Sequence, residues 1–439
     1  NVEANANDYT GRPSGEMSLY TSSMNSSESN NYRLRMYVDE DYNPQGDGGG
    51  LTFTVQINVY GKAGDKYVPL TTQEILEDNE LQEEKEGMFN YASNGGYVSS
   101  FNNQDGPQYG SDPSQVTSGL FSMEDDDGTS YYYRGNITNN NVQFGEYTED
   151  YYVYSYGGSF FQSLESCKEY NSSCSESNRV LLASAGDKMY WKIVRVNGDG
   201  SLRLIYNGTS ATPDFSDLAH SYAVGNYILY NPEWNDPKYT GYTYDRDTNE
   251  TDSFIKREVD TWYEKALGDT IYDSMVTGGR FCSDSSGYKN SADYGMLDAY
   301  GEDAYLYSSM GERLANFTIG YSVANSPTLI CPDTDETYGG SYRLKAGLIT
   351  ADELALAGES TYVAGNNSYL NPSESEVYYW SMTPAAFRHG YAYVWLEYAD
   401  LGNLADDYGN GAVRPVINVA TENGFASGDG TASNPYIIS

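Results

Sequence analysis

Four cysteines, two histidines and a large excess of carboxylates are the groups in this chain that could do chemistry. Cys167 and Cys174 enclose a short polar loop, Lys168-Glu169-Tyr170-Asn171-Ser172-Ser173, while Cys282 and Cys331 stand further apart. An even, sparse set with only His220 and His389 for company is poor material for a zinc centre. Two bridges fit better. A Cys167–Cys174 bridge would constrain the unfolded chain by roughly 2–3 kcal/mol and a Cys282–Cys331 bridge by about 4 kcal/mol. Both imply an oxidising compartment; four buried free thiols are the alternative.

Three acidic clusters could offer oxygens to Ca²⁺: Asp39-Glu40-Asp41, Glu124-Asp125-Asp126-Asp127 and Asp245-Arg246-Asp247-Thr248-Asn249-Glu250. Asp245, Asp247 and Asn249 have the alternating spacing that opens an EF-hand loop. Glu250 stands where that loop needs glycine, however, and Lys256 where it needs a bidentate glutamate. The EF-hand reading fails, and Ca²⁺ at a site of another kind is the one cofactor the chain suggests. Solvated acidic loops are the competing explanation for each cluster. Nothing resembles a nucleophile elbow, and His389 in Phe387-Arg388-His389-Gly390 reads as a loop residue.

Charge narrows the partners. Lysine and arginine total 25 against 63 acidic residues, a formal charge of −38. Such a chain repels phosphate backbones and anionic lipid surfaces, so nucleic acid is excluded as a partner. No stretch approaches the ~18 apolar residues that would span a bilayer, so no membrane insertion is expected. There is no apolar amino-terminal run, and a start at Asn1 fits prior removal of a signal peptide. Hydrophobic residues make up 39% of the 439, enough for real cores, and 46 are tyrosines, which suit half-exposed strands and contact surfaces.

The elements that must position these groups are mostly strands. Tyr32–Val38 and Leu51–Tyr60 alternate at period two around a Gly/Asp-rich loop. Thr71 and Glu74 form a capping box, predicting a helix from about Thr72 to Glu86 that stops at Gly87. Residues 93–128 read as irregular surface loop. Tyr131–Gly135 and the hairpin Tyr190–Val196/Ser201–Tyr206, joined by Asn197-Gly198-Asp199-Gly200, resume regular structure. Asp252 to Leu267 is a helix with Ile255, Val259, Trp262 and Ala266 on one face, closed by Gly268; Thr350, Glu353 and Gly358 delimit another. Strands follow at Tyr378–Met382, Tyr391–Leu396, Val413–Val419 and Pro435–Ile438. In Tyr379-Trp380-Ser381-Met382 the alternation puts Trp380 in the core rather than on a sugar-binding platform with Trp395. Arg414, amid apolar residues, should be buried or half-buried with a carboxylate partner.

Several of these runs share a resemblance. Tyr131-Tyr132-Tyr133-Arg134-Gly135-Asn136, the hairpin, Gly347-Leu348-Ile349-Thr350-Ala351-Asp352-Glu353, Tyr379–Pro384, Val413–Asn418 and Asn434-Pro435-Tyr436-Ile437 resemble secreted or surface-attached proteins of Firmicutes and related bacteria. In these the carboxy-terminal part is similar to the formylglycine-generating-enzyme variant of the C-type-lectin-like fold. The resemblance covers roughly residues 97 to 439. It implies an α+β, β-rich chain: an amino-terminal β domain over 1–88, then an irregular C-type-lectin-like domain over 89–439. A disulfide-bearing insertion, about 145–189, departs from the family pattern and reads as a surface loop or subdomain. Its tyrosines, Tyr147, Tyr151, Tyr152, Tyr154 and Tyr156, are candidate binding residues. Sulfatase-modifying relatives need a reactive cysteine pair near the carboxy terminus, and this chain has no cysteine after Cys331. Oxygenase relatives need a histidine cluster, which His220 and His389 do not supply.

These features together lead to the expectation of a non-enzymatic extracellular surface protein of a bacterium, a self-associating subunit of a filament or appendage with an adhesive role. The polar segment Asn1–Met17 and its neighbour Met17-Ser18-Leu19-Tyr20-Thr21 could add as a strand to another copy. A carbohydrate- or host-binding module of lectin type is the alternative, and an enzyme of unknown type the third reading.

Overall fold

The computed structural model describes residues 69–83, 118–214, 222–235, 237–243, 251–283, 289–290, 306–307, 327–331, 341–359, 368–371, 378–388, 391–398, 401–405, 411–420 and 424–438. Chain contacts divide the protein after Val68 into Asn1–Val68 and Pro69–Ser439. Every described residue belongs to the second unit. The strands expected at 32–38 and 51–60, the donor segment 17–21, both histidines and the Ca²⁺ candidates Asp245, Asp247 and Asn249 lie outside the described residues.

The division falls earlier than the expected boundary at 88 because helix α1 (Leu70–Asp78) is tied into the second unit. Its Glu74 accepts from the amide of Phe425 at 2.8 Å, and its Asp78 accepts from the Tyr436 hydroxyl at 2.6 Å. The expected capping box does not form: Pro69 is the N-cap, and Glu74 is spent on Phe425 instead of reaching back along its own helix.

Two large sheets carry the fold. In the first, β1 (Gly119–Asp125), β2 (Gly128–Arg134), β7 (Lys188–Val196), β8 (Leu202–Tyr206), β20 (Val416–Val419) and β10 (Val276–Thr277) lie side by side. β15 (Ala346–Gly347) also pairs with β20, β3 (Asn141–Glu146) with β7, and β21 (Tyr436–Ile437) runs parallel to β3. The second runs β12 (Lys289–Asn290), β13 (Leu306–Tyr307), β16 (Tyr378–Arg388), β19 (Gly411–Val413), β9 (Gly225–Ile228), β5 (Ser159–Phe161), β4 (Tyr151–Tyr156), β6 (Arg179–Ala183), and extends from β16 to β17 (Tyr391–Tyr398) and β18 (Leu401–Ala405). A small pair, β11 (Gly279–Cys282) with β14 (Ser341–Leu344), stands apart. One main hydrophobic cluster takes residues from both large sheets, among them Trp191, Tyr206, Val413, Trp380 and Val394.

The helices follow from their ends. α2 (Leu164–Tyr170) is capped by Ser163, whose side chain accepts from the Ser166 amide. α3 (Phe254–Ala266) has Ser253 as N-cap and buries Ile255, Val259, Trp262 and Ala266 as their spacing requires. α4 (Ala351–Ala357) has the full Thr350/Glu353 capping box and ends at Gly358, whose φ of 117° is the left-handed conformation that glycine adopts without strain. The chain is therefore α+β and β-rich.

Two expectations are corrected. Within the supposed loop 93–128, residues 119–125 form β1, because Gly119-Leu120-Phe121-Ser122-Met123 pairs antiparallel with β2 and buries Leu120 and Phe121 completely. The acidic run Asp125-Asp126-Asp127-Gly128 is its hairpin turn. The insertion about 145–189, expected as a surface loop or subdomain, is not a loop. It supplies β4, β5, α2 and β6, joins the second sheet through Phe160 opposite Asn226, and buries Val153, Phe161 and Ala183 in the main core.

Both expected disulfides are present, Cys167–Cys174 and Cys282–Cys331, and among the described residues no cysteine is free. Bridges of this kind persist in oxidising, non-cytoplasmic surroundings. Among the described residues no helix is long and apolar enough to cross a membrane.

Candidate functional site

The register of the β7–β8 hairpin sets Arg195 directly opposite Arg203. Like charges facing each other across a ladder are destabilising, and both side chains here are buried, so the pair needs counter-ions. Glu353, in the first turn of α4, supplies one. Its Oε1 lies 3.0 Å from Arg195 Nε and also contacts Arg203 Nε, while its Oε2 accepts from Arg203 Nη2 at 3.3 Å and from the Thr350 amide at 3.0 Å. Burial opposes ionisation of Glu353, yet the two guanidiniums and the Thr350 amide hold its carboxyl below the ordinary range.

Asp125, at the end of β1, is the second counter-ion. Its Oδ2 is 2.8 Å from Arg195 Nη1 and accepts from the Gly198 amide at 2.8 Å. Its Oδ1 accepts from the amides of Asp127 and Gly128, both at 2.9 Å. The approach of the two hairpin turns is close enough that a Cβ on Gly198 would sit 2.2 Å from Asp125 Oδ1 and 2.4 Å from Gly128 N. Asp126 bonds the Cys331 amide at 3.0 Å and lies 3.4 Å from Arg280 Nε. Within the Glu124–Asp127 cluster, Asp125 and Asp126 thus bind amides and guanidiniums, while Glu124 accepts from the Thr129 hydroxyl at 2.7 Å.

Above this network lies a cavity lined by the three arginines, Cys282, Thr350, Asp352 and Glu353 and roofed by Thr328, Leu329 and Ile330. The roof is tied at both ends, by the Thr328 amide to Asp352 Oδ1 at 2.9 Å and by Cys331 to Cys282. The free volume is about 20 Å³, room for a water or two. Its polar groups face one another rather than an open space: Thr383 Oγ1 accepts from the Ala351 amide, and Thr350 Oγ1 bonds within the capping box. The arrangement can hold the roof, α4 and the two hairpins in one geometry; it presents no activated nucleophile.

The candidate tyrosines, Tyr147 before β4 and the other four on it, divide by burial. Tyr147 and Tyr151 are buried. Tyr147 bonds Tyr206 at 3.0 Å, and the Tyr151 hydroxyl donates to Gln162 Oε1 at 2.6 Å. They are core residues, which corrects their reading as contacts. Tyr152, Tyr154 and Tyr156 are half-buried. Arg179 covers the Tyr152 ring at 3.7 Å, and Tyr154 bonds Glu176 at 3.0 Å. Arg414 is buried as expected, but among the described residues it has no carboxylate partner: it donates to the carbonyls of Tyr206 and Leu370 and to Asn207 Oδ1, with the Tyr379 ring 4.8 Å away.

Four of the five tryptophans, Trp191, Trp262, Trp380 and Trp395, are buried. Trp234 is 37% exposed and stacks on the equally exposed Tyr391, centroids 4.5 Å apart and planes within 16°. The Ala392 amide bonds the Trp234 carbonyl at 2.8 Å and fixes the loop to β17.

Comparison with protein-family models, curated proteins and solved structures finds no match.

Among the described residues no group of three or more His, Cys, Asp or Glu is placed to hold a metal. Glu353 was legible as a capping residue, and the facing arginines of the hairpin were a signal that a buried carboxylate must come from elsewhere. Trp234, in Pro232-Glu233-Trp234-Asn235, carried no periodic pattern that would mark it as exposed.

Proposed function

We propose that this is a non-enzymatic extracellular surface protein, a structural subunit of a cell-surface filament or appendage with an adhesive role. The observation that supports the reading most is the use made of buried charge. Arg195, Arg203, Glu353 and Asp125 are consumed by one another, beside a disulfide that staples the roof of the cavity. Such a design favours rigidity, which a load-bearing subunit needs and a reacting site would have to break. Two disulfides fit work outside the cytoplasm. Electron microscopy of the purified protein is expected to show fibres, and a truncation lacking residues 1–21 is expected to stay folded and monomeric. Assembly of the truncated protein as efficient as that of the full chain removes the strand-donation part of the reading.

The Trp234–Tyr391 stack favours a second reading, a lectin-like module. A preorganised, exposed indole offers its free face to a pyranose, and exposed Glu233 and Asn235 flank it with hydrogen-bonding groups. On a glycan array, binding by the wild type and at least a tenfold loss with Trp234→Ala is expected on this reading. No binding, or binding untouched by the substitution, rejects it.

A further inference from the structure

We propose that Lys192 and Asn141 join in an intramolecular amide bond, a self-formed cross-link between β7 and β3. The register of these antiparallel strands sets the two residues directly opposite each other, which puts both side chains on one face of the sheet. Lys192 Nζ lies 2.6 Å from Asn141 Oδ1. The side-chain amide is fixed in that orientation from its other end, where Nδ2 donates to the carbonyls of Thr138 at 3.0 Å and Gly430 at 2.8 Å. Asn141 is buried, so water does not compete for its carbonyl.

The surroundings of the amine set this pair apart from an ordinary hydrogen bond. Lys188 contacts Glu146, Lys256 lies between Asp252 and Asp260, and Lys345 contacts Asp273. Among the described residues no carboxylate contacts Lys192, and the charge that acts on it is Arg414, itself buried and held by backbone carbonyls. An ammonium in that place carries its desolvation cost with no ion pair to offset it, beside a second cation. Conversion to a neutral secondary amide removes the charge. Burial and Arg414 push the amine down to about 8, so about a tenth of it is the neutral nucleophile at pH 7.

The step balances without a co-reactant. The Nζ lone pair attacks Asn141 Cγ, the Nζ–Cγ bond forms, and the Cγ–Nδ2 bond breaks. One Nζ proton passes to Nδ2, which leaves as ammonia. Aminolysis of an amide is slow between free molecules, but fixed apposition replaces the collision, with effective concentrations that reach about 10⁵–10⁸ M in well-oriented pairs. The bond closes a separation of 51 residues and ties together the two strands that flank the disulfide-bearing insertion. It is independent of assembly, so its presence or absence does not decide whether the chain forms fibres.

Intact-mass measurement of the purified full chain, with its disulfides reduced, tests this. The mass is expected to fall short of the sequence mass by one ammonia. A tryptic digest is expected to contain the peptide with Asn141 joined to the one with an uncut Lys192. Lys192→Arg, which keeps the charge and a hydrogen-bond donor, is expected to recover the full mass and leave the two peptides separate. A wild-type chain of full mass that trypsin cuts at Lys192 overturns the proposal. So does ammonia loss without joined peptides, as a succinimide at Asn207-Gly208 would give, or a loss that persists in Lys192→Arg. Should the variant not fold, the wild-type mass and digest decide alone.

Discussion

Glu353→Gln is expected to destabilise the second unit by about 3–5 kcal/mol at neutral pH, the cost of breaking a buried ion cluster by removing one partner. The substitution keeps the shape of the side chain and one acceptor for the Thr350 amide, so packing and the capping box lose little. Charge is what it removes. Arg203 is then left buried, with Phe281 against its face at 4.1 Å and its Nη1 on the Arg280 carbonyl, but without the carboxylate that contacts its Nε. Arg195 retains Asp125. Urea unfolding at pH 7 measures the loss, and a change below about 1 kcal/mol would show that the guanidiniums find other partners. The pH dependence supplies a second check. Glu353 is held below its ordinary range when folded, so its contribution is present above the value of a free carboxyl and is lost as pH falls through the lower folded value. The acid limb of the stability curve should therefore flatten in Glu353→Gln while the neutral region drops.

Removing the Cys282–Cys331 bridge, by Cys282→Ala with Cys331→Ala, is expected to cost about 4 kcal/mol, because the bridge closes a separation of 49 residues. The equivalent pair of changes at Cys167 and Cys174, separated by 7, is expected to cost about 2 kcal/mol. The long bridge also anchors the cavity roof, whose Cys331 amide bonds Asp126 and whose Leu329 bridges to Asp125, so its loss should loosen residues 327–331 first. Thermal unfolding of the two double variants, each beside the wild type, compares them directly. A larger loss from the short bridge than from the long one would contradict the loop-closure argument and point to packing around Cys167, which is itself fully buried.

The two effects converge on one region. Glu353 ties α4 to the β7–β8 hairpin, and the long disulfide ties the roof to β11, so either change leaves the cavity held from one side only. On the proposed structural function, both variants should assemble poorly even where their isolated folds survive.

What the sequence determined by itself is what local rules control. Gly268 closes α3, whose start, expected at Asp252, is capped one residue later by Ser253; Thr350, Glu353 and Gly358 bracket α4, and Asn197-Gly198-Asp199-Gly200 turns the hairpin, because caps and turns need specific residues within a few positions. The cysteine pairing was legible for a similar reason: with four thiols, short and medium loops are the economical closures. The capping box at Thr71 shows where such rules stop, since Glu74 had a better partner in Phe425, 351 positions away. Tertiary structure alone decided the rest. It put Tyr147 and Tyr151 into the core, gave Arg195 a carboxylate 158 positions distant and Arg414 two backbone carbonyls, drew the disulfide-bearing segment into a sheet, and left Trp234 outside. Burial and ion pairing depend on which surfaces meet, and a chain this rich in tyrosine and carboxylate offers many equivalent candidates for each contact. Only the packing of two sheets against each other selects among them.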